Sequence, residues 1–524
     1  MHSIDRMPAR DCLMGRTGGP SSGAGGLLVA GTTSGAGKSL VTAAICRWLA
    51  RQGHRVAPFK AQNMSNNSMV CPDGSEIGRA QWLQALSAGV TPEAAMNPVL
   101  LKPGGDTRSH VTLMGKPFGE LSSSGWTTDR ALLAETAFHA LDDLRSRFDI
   151  IIAEGAGSPT EINLRAHDFI NLGLARRANF PVLVVGDIDR GGVFAAMFGT
   201  LALLSEDDQA LVAGWVINKF RGDLGLLEPA LEQLRDLTGR PVFGTLPWLD
   251  DVWIDAEDAL AVDGWSDRSS TPTDVLQVAV VRFPRVSNTT DVDALAAESG
   301  VTVTVTADAD VVAAAHLVVL PGSRATVADL EWLRHRGMAQ ALAVRQQHSQ
   351  PILGICGGYQ MLSTSITDDL ESGRGRVDGL GLLPTTVTFD QSKQLRTETS
   401  SWRGHPVVSY QIHHGRVSLD ADDHRSGLAD EFLDGIQLAT TWGTTSHGLF
   451  ENDGFRRSWL TEVGAQAGIH WAPVDGAPSF GSLRLGMLDR LADAVEEHLD
   501  TERLLALIER GCPTGLSFIP PGVP

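Results

Sequence analysis

The chain is poor in cysteine, with five in 524 residues: Cys12, Cys46, Cys71, Cys356 and Cys512. They are odd in number, far apart and never spaced C-x-x-C. That excludes a disulfide framework and a zinc ribbon, and it fits a reducing cytoplasm. The chain also lacks any stretch of about 18 apolar residues, the length a membrane span requires. The first 26 residues hold no continuous apolar segment of the kind a secretory signal carries. Basic residues are outnumbered, 43 Lys+Arg against 62 Asp+Glu, for a net charge of −19. Such a field argues against holding nucleic acid or a membrane surface by bulk electrostatics, while leaving room for a local basic pocket. What remains is an ordinary globular composition, 43% hydrophobic with 56 glycines. At roughly 150 residues per domain, the length suggests two to four domains.

Five segments emerge. Residues 1–26 are rich in Gly, Ser, Pro and Arg and read as a flexible tail. From 27 to about 250, apolar strands alternate with helical patterns. Runs such as Ile150-Ile-Ile-Ala153 and Val182-Leu-Val-Val185 suit strands buried on both faces, so a doubly wound parallel sheet is expected. Residues 251–274 gather Asp, Ser, Thr and Pro and read as a linker. A second α/β domain is expected over 275–510, ending in one amphipathic helix over 485–510 that carries Leu488, Leu491, Val495 and Leu499 on one side. Residues 511–524 read as a loose tail.

The first chemical motif is Gly31-Thr-Thr-Ser-Gly-Ala-Gly-Lys38-Ser39, between a strand and a helix. Glycines let backbone N–H groups face phosphate oxygens, the lysine neutralises the outer phosphates, and the serine hydroxyl suits Mg²⁺. The first glycine sits one residue earlier than in the commonest form of such loops. Thr33, Ser34, Gly35, Gly37, Lys38 and Ser39 are therefore candidate ATP contacts. Ligands of such sheets lie at the carboxyl ends of strands. Lys60, Glu154 and Asn218 all fall at such ends. Lys60 suits phosphate, Asn218 the base, and Glu154 together with Ser39 the metal. The polar strings Gln62–Ser68, Lys102–His110 and Asp187–Gly192 suit a polar, anionic acceptor.

The second motif is Pro351-Ile-Leu-Gly-Ile-Cys356-Gly-Gly-Tyr-Gln360, an apolar strand, a cysteine between glycines, and a helix start. Glycines permit a sharp turn that exposes the sulfur, and a helix N-terminus favours thiolate. This is a nucleophile elbow with cysteine in place of serine. A general base is needed, and His447 is the best candidate, with His413 and His414 as competitors. Backbone N–H groups of Gly322 and Gly357 suit an oxyanion hole. A thiolate with a histidine can release ammonia from L-glutamine, and ATP can activate a carboxylate to receive it. The two sites together predict a glutamine-dependent amide ligase.

On Lys60-Ala-Gln-Asn-Met-Ser-Asn-Asn-Ser68, Glu154-Gly-Ala-Gly-Ser-Pro159, Asn218-Lys-Phe-Arg-Gly-Asp223 and Gly354-Ile-Cys-Gly-Gly-Tyr-Gln360, the chain resembles the cobyric acid synthase family over about residues 27–500. The first half is similar to dethiobiotin synthetases and the second to triad glutamine amidotransferases. The resemblance implies Cys356 as nucleophile, His447 as base, and a corrinoid polycarboxylate as substrate. It implies amidation of the b, d, e and g side chains of adenosylcobyrinic acid a,c-diamide, with ATP, Mg²⁺ and glutamine. Two departures stand out. Most triad amidotransferases carry Glu two residues after the histidine, where this chain has Leu449, with Glu451 the nearest acid. Dethiobiotin-type enzymes carry a metal-binding Asp after the second strand, where this chain is Asn- and Ser-rich. Two alternatives stay open: an a,c-diamide synthase of the same pathway, and a partitioning-type switch ATPase with an inactive glutaminase domain. Lys102, Arg108 and Arg190 are candidates to hold the anionic acceptor against the overall charge. Nothing in the pattern sets an oligomeric state.

Overall fold

A computed structural model describes residues 25–103, 108–122, 126–253 and 275–520. The expected N-terminal tail up to residue 24, most of the expected linker (254–274) and residues 521–524 lie outside the described residues.

The first domain is built on six parallel strands, in the order Val242–Pro247, Val212–Phe220, Val182–Asp187, Gly25–Gly31, Ile150–Glu154, Val56–Phe59. The apolar runs Ile150–Ala153 and Val182–Val185 form two of them, as expected. Successive side chains alternate between faces. Leu28 and Ala30 enter one buried core, Leu27 and Val29 the other. The helix Lys38–Arg51 follows the central strand, and the helix Arg79–Ser87 packs beside it.

Residues 480–510 form two helices, Phe480–His498 and Thr501–Arg510, where one was expected. Grouped with the second domain by sequence position, they pack on the first. Leu488, Leu491, Val495, Leu504 and Leu507 fill the core shared with Leu27 and Leu183. Arg47 and Arg51 pair with Asp489 at 2.8 Å and Asp493 at 2.6 Å. Nor is the stretch after 510 loose as far as it is described. Ile519 exchanges two 2.8 Å hydrogen bonds with Gln209, and Arg240 donates to the carbonyl of Ser517.

The second domain centres on seven strands in the order Val301–Thr306, Leu276–Val281, Leu317–Leu320, Ile352–Ile355, Thr441–Thr444, Gly435–Leu438, Asp430–Phe432. The first five are parallel and the last two antiparallel. A long hairpin, Thr385–Trp402 with His405–Leu419, leans across to the first domain. Its Lys393 reaches the buried Glu76 there at 2.6 Å. Both domains are thus α/β with parallel-sheet centres, as expected. Among the described residues no helix is long and apolar enough to cross a membrane.

Candidate functional site

The phosphate loop takes its shape from Gly37, whose φ of +94° few residues with a Cβ adopt. An added Cβ there would also lie 2.2 Å from Asn218 Nδ2. Asn218 donates to the Ala36 carbonyl at 2.9 Å, and Lys219 to the Gly35 carbonyl at 2.8 Å. The end of the strand Val212–Phe220, two places away in the sheet, therefore braces the loop. Lys38 Nζ donates to the carbonyls of Thr33 and Ser34 at 2.9 and 3.2 Å, and to Gly157 at 3.1 Å. This amine bridges the loop and the turn after Glu154.

Glu154 is fully buried and holds its neighbours tightly. Ser39 Oγ and Lys60 Nζ each lie 2.8 Å from its Oε1, and Gln84 Nε2 lies 2.6 Å from its Oε2. A buried carboxylate with a serine hydroxyl fits Mg²⁺, which takes few protein ligands and keeps phosphate and water for the rest. Among the described residues there is no cluster of three His, Cys, Asp or Glu suited to a metal. Two cavities flank the loop. One, about 130 Å³, is mostly apolar and lined by Leu40, Asn218, Trp248 and Leu491. Its size and lining suit a nucleotide base. The other, about 410 Å³, is lined by Lys38, Lys60, Asn63, Arg130, Arg165 and Asn171.

Cys356 stands between the strand Ile352–Ile355 and the helix Gly357–Leu362, with φ +51° and ψ −109°. This is a strained conformation for a residue with a side chain. The turn closes because Gly358 has no Cβ; one would lie 2.0 Å from the Leu320 carbonyl oxygen. The same absence at Gly357 lets Ser323 approach, and Gly322 lies against the ring of His447. The two glycines expected at the oxyanion hole thus lie beside Cys356 and His447.

His447 is 1% exposed and hydrogen-bonds Cys356. Its Nδ1 lies 2.6 Å from Asp291 Oδ2, while Asp291 Oδ1 accepts the N–H of Gly448 at 2.7 Å. Burial disfavours the charged ring, but its interactions with Asp291 and Cys356 outweigh that and raise its pKa to about 10. Tyr410 stacks on the ring at 5.5 Å and exchanges two backbone hydrogen bonds with His447. His413, by contrast, is held neutral: burial pushes it down to about 4, and its Nδ1 faces the Gly415 carbonyl. His414 lies against the Asp390 carbonyl. Among the described residues, neither competitor makes a hydrogen bond or ion pair to a carboxylate.

Asp291 is the residue that sequence reading missed. It follows no recognisable spacing from Cys356 or His447, because the triad closes through tertiary structure. Glu451, the nearest acid in sequence, turns away to Arg79 at 3.0 Å and to Arg484 at 2.9 Å. Two of the three cations expected to hold the acceptor are otherwise engaged. Lys102 is buried against Glu76. Arg190 lies 3.6 Å from Asp187 and beside Gly35 of the phosphate loop. The side chain of Arg108 lies outside the described residues. A third cavity, about 260 Å³, runs between the domains and is lined by Lys102, His110, Cys356, Gln360, Lys393 and His413.

A nucleotide-binding α/β domain joined to a cysteine–histidine–aspartate site defines a class, the synthetases that carry their own glutamine amidotransferase. Residues 27–261 match the CobQ/CobB/MinD/ParA nucleotide binding domain, and residues 277–455 the CobB/CobQ-like glutamine amidotransferase domain. The similarity extends over nearly whole chains. A cobyric acid synthase of Streptomyces avermitilis is 56% identical over 508 residues, covering 95% of this chain and 99% of the relative. Those of Frankia casuarinae and Mycolicibacterium gilvum are 53% identical over 521 residues and 55% over 505. Each alignment covers 95% of this chain and at least 99% of the relative. The chain belongs to the cobyric acid synthase family.

Proposed function

We infer that this protein uses ATP and glutamine to amidate a corrinoid polycarboxylate. The reaction converts the b, d, e and g carboxylates of adenosylcobyrinic acid a,c-diamide to amides and yields adenosylcobyric acid. The observation that carries the reading is the buried Asp291–His447 pair beside Cys356, in one chain with a phosphate loop. It argues against a switch ATPase with a dead glutaminase domain.

At the glutaminase site, the Cys356 thiolate attacks the glutamine carboxamide carbon. The oxyanion lies toward the backbone N–H groups of Gly322 and Gly357. His447 gives its proton to the departing ammonia, then takes one from the water that releases glutamate. At the synthetase site, ATP lies along the loop with its base beside Asn218 and Trp248. The γ-phosphoryl group passes to a substrate carboxylate, and ammonia displaces phosphate from the acyl phosphate. Lys38 and Lys60 stabilise charge on the transferring group. Ser39 and Glu154 would hold Mg²⁺, which supplies further charge neutralisation on the phosphates. The cavity lined by Lys60, Arg130 and Arg165 offers cations to the acceptor carboxylate.

The test is Cys356→Ala. It should abolish amidation with glutamine and preserve it with high ammonium; persisting glutamine use would refute the assignment. Offering both cobyrinic acid and its a,c-diamide as acceptors separates this reading from an a,c-diamide synthase.

A further inference from the structure

The far end of the Asn-rich string faces the other domain. Asn67 Oδ1 accepts the backbone N–H of Asn288 at 2.7 Å, and Asn288 Oδ1 accepts that of Ser68 at 2.9 Å. Asn67, Ser68 and Asn288 are all buried. Asn288 holds a φ of +53°, a left-handed conformation that is costly for residues with a Cβ, though least so for Asn and Asp. It also sits between two parts of the glutaminase site. Ser287, just before it, pairs with Gly322 of the oxyanion loop. Its own carbonyl accepts the N–H of Asp291 at 3.2 Å, closing the turn from which Asp291 reaches His447.

We propose that Asn67 is a positioning residue for the glutaminase site, contributed by the synthetase domain: its reciprocal pairing with Asn288 holds the turn that presents Asp291 to His447. This rests on the reading of Cys356, His447 and Asp291 as the glutaminase triad. Asn67 acts through the turn from Asn288 to Asp291. The connection continues toward ATP. The Asn67 carbonyl accepts the N–H of Arg79 at 3.0 Å, and Arg79 opens the nine-residue helix whose Gln84 holds Glu154. Arg79 also grips Glu451, on the turn that follows His447. Both the acid and the base of the triad are therefore tied to the ATP-binding domain. Glutamine hydrolysis then depends on that domain being seated.

Asn67→Ala removes the acceptor for the Asn288 N–H. Asn288→Gly keeps the left-handed backbone and removes the acceptor for Ser68. Each should lower the glutamine-dependent kcat by about 10²-fold, the scale of a small misplacement at a reacting centre. KM for ATP and the ammonium-driven rate should stay unchanged. The two losses should be non-additive in the double variant, since each removes one bond of the same two-bond contact between the domains. The ammonium-driven rate shows that the same sample is folded. An unchanged glutamine-dependent kcat would overturn the proposal, as would a parallel fall in both rates. If Asn67→Ala is insoluble, Asn67→Ser, which keeps a polar side chain too short to reach the Asn288 N–H, decides by the same readings. Cys356→Ala is run alongside: if it retained glutamine use, the triad reading would fall rather than the tether.

Discussion

Asp291 lies 2.6 Å from His447 although 156 residues separate them. One carboxylate oxygen fixes the ring and the other accepts the N–H of Gly448, so a single acid sets both the side chain and the backbone of the base. Replacing it by Asn keeps the shape and removes the charge. In a comparable serine-histidine triad that change costs about 10⁴-fold in kcat. Asp291→Asn should lose glutamine-dependent amidation on that scale and keep the ammonium-driven rate. Parallel assays with the two nitrogen sources check it.

The raised pKa of His447 has a pH consequence. A group whose folded pKa lies above its unfolded value adds stability that is fully present below the unfolded value, 6.5, and is lost as pH rises through about 10. The wild type should therefore lose stability to urea between pH 6.5 and 10, and Asp291→Asn should lose less. Urea midpoints of the two proteins across that pH range are the measurement, and equal losses in both would contradict the Asp291–His447 pairing.

Glu154→Gln keeps a polar partner for Gln84 and Ser39 while removing the charge that faces Lys60. Amidation should fall with ammonium and glutamine alike, and glutamate release without acceptor should persist. Chelation of Mg²⁺ by EDTA should produce the same split.

Ala494→Leu adds bulk to the small apolar cavity beside Gly37 and Asn218. The expected result is a higher KM for ATP with KM for glutamine unchanged, at a stability cost of about 1–3 kcal/mol from overpacking. Steady-state kinetics and thermal melting report both.

Glu76 is the buried acid shared by Lys102 of its own domain and Lys393 of the other. Glu76→Ala leaves the buried Lys102 and the partly buried Lys393 without their carboxylate, which costs about 3–5 kcal/mol. Urea denaturation of Glu76→Ala and of Lys393→Ala separates the share that crosses the domain boundary.

The local parts of both sites were legible because one stretch of chain makes them. A strand, a glycine loop with Lys38 and Ser39, and a strand ending in Cys356 between glycines each declare themselves in sequence. His447 could be ranked above His413 and His414 but not proven, since its distinguishing partner lies far away in the chain. Asp291 meets His447 only once the second domain has folded, and the Asn67–Asn288 and Arg79–Glu451 contacts exist only after the two domains meet. The same holds for Lys102. As a basic residue in a polar string it suggested substrate binding, yet folding turns it onto Glu76. The helices after residue 480 carried a clear amphipathic period, and that period could not say which sheet their apolar face would cover.

Those two helices also set an order of events during synthesis. Domains fold as units while the chain emerges from the ribosome, N-terminal parts first. Here one face of the ATP-binding core waits for Leu488, Leu491, Leu504 and Leu507, so the first domain begun is the last completed. The amidotransferase folds as an insertion within it. A chain cut short after that insertion would retain the phosphate loop but lack the wall formed by Leu491 and Ala494, one side of the cavity proposed above for the nucleotide base. Competence to use ATP is thereby reserved for molecules whose ammonia source has already been made.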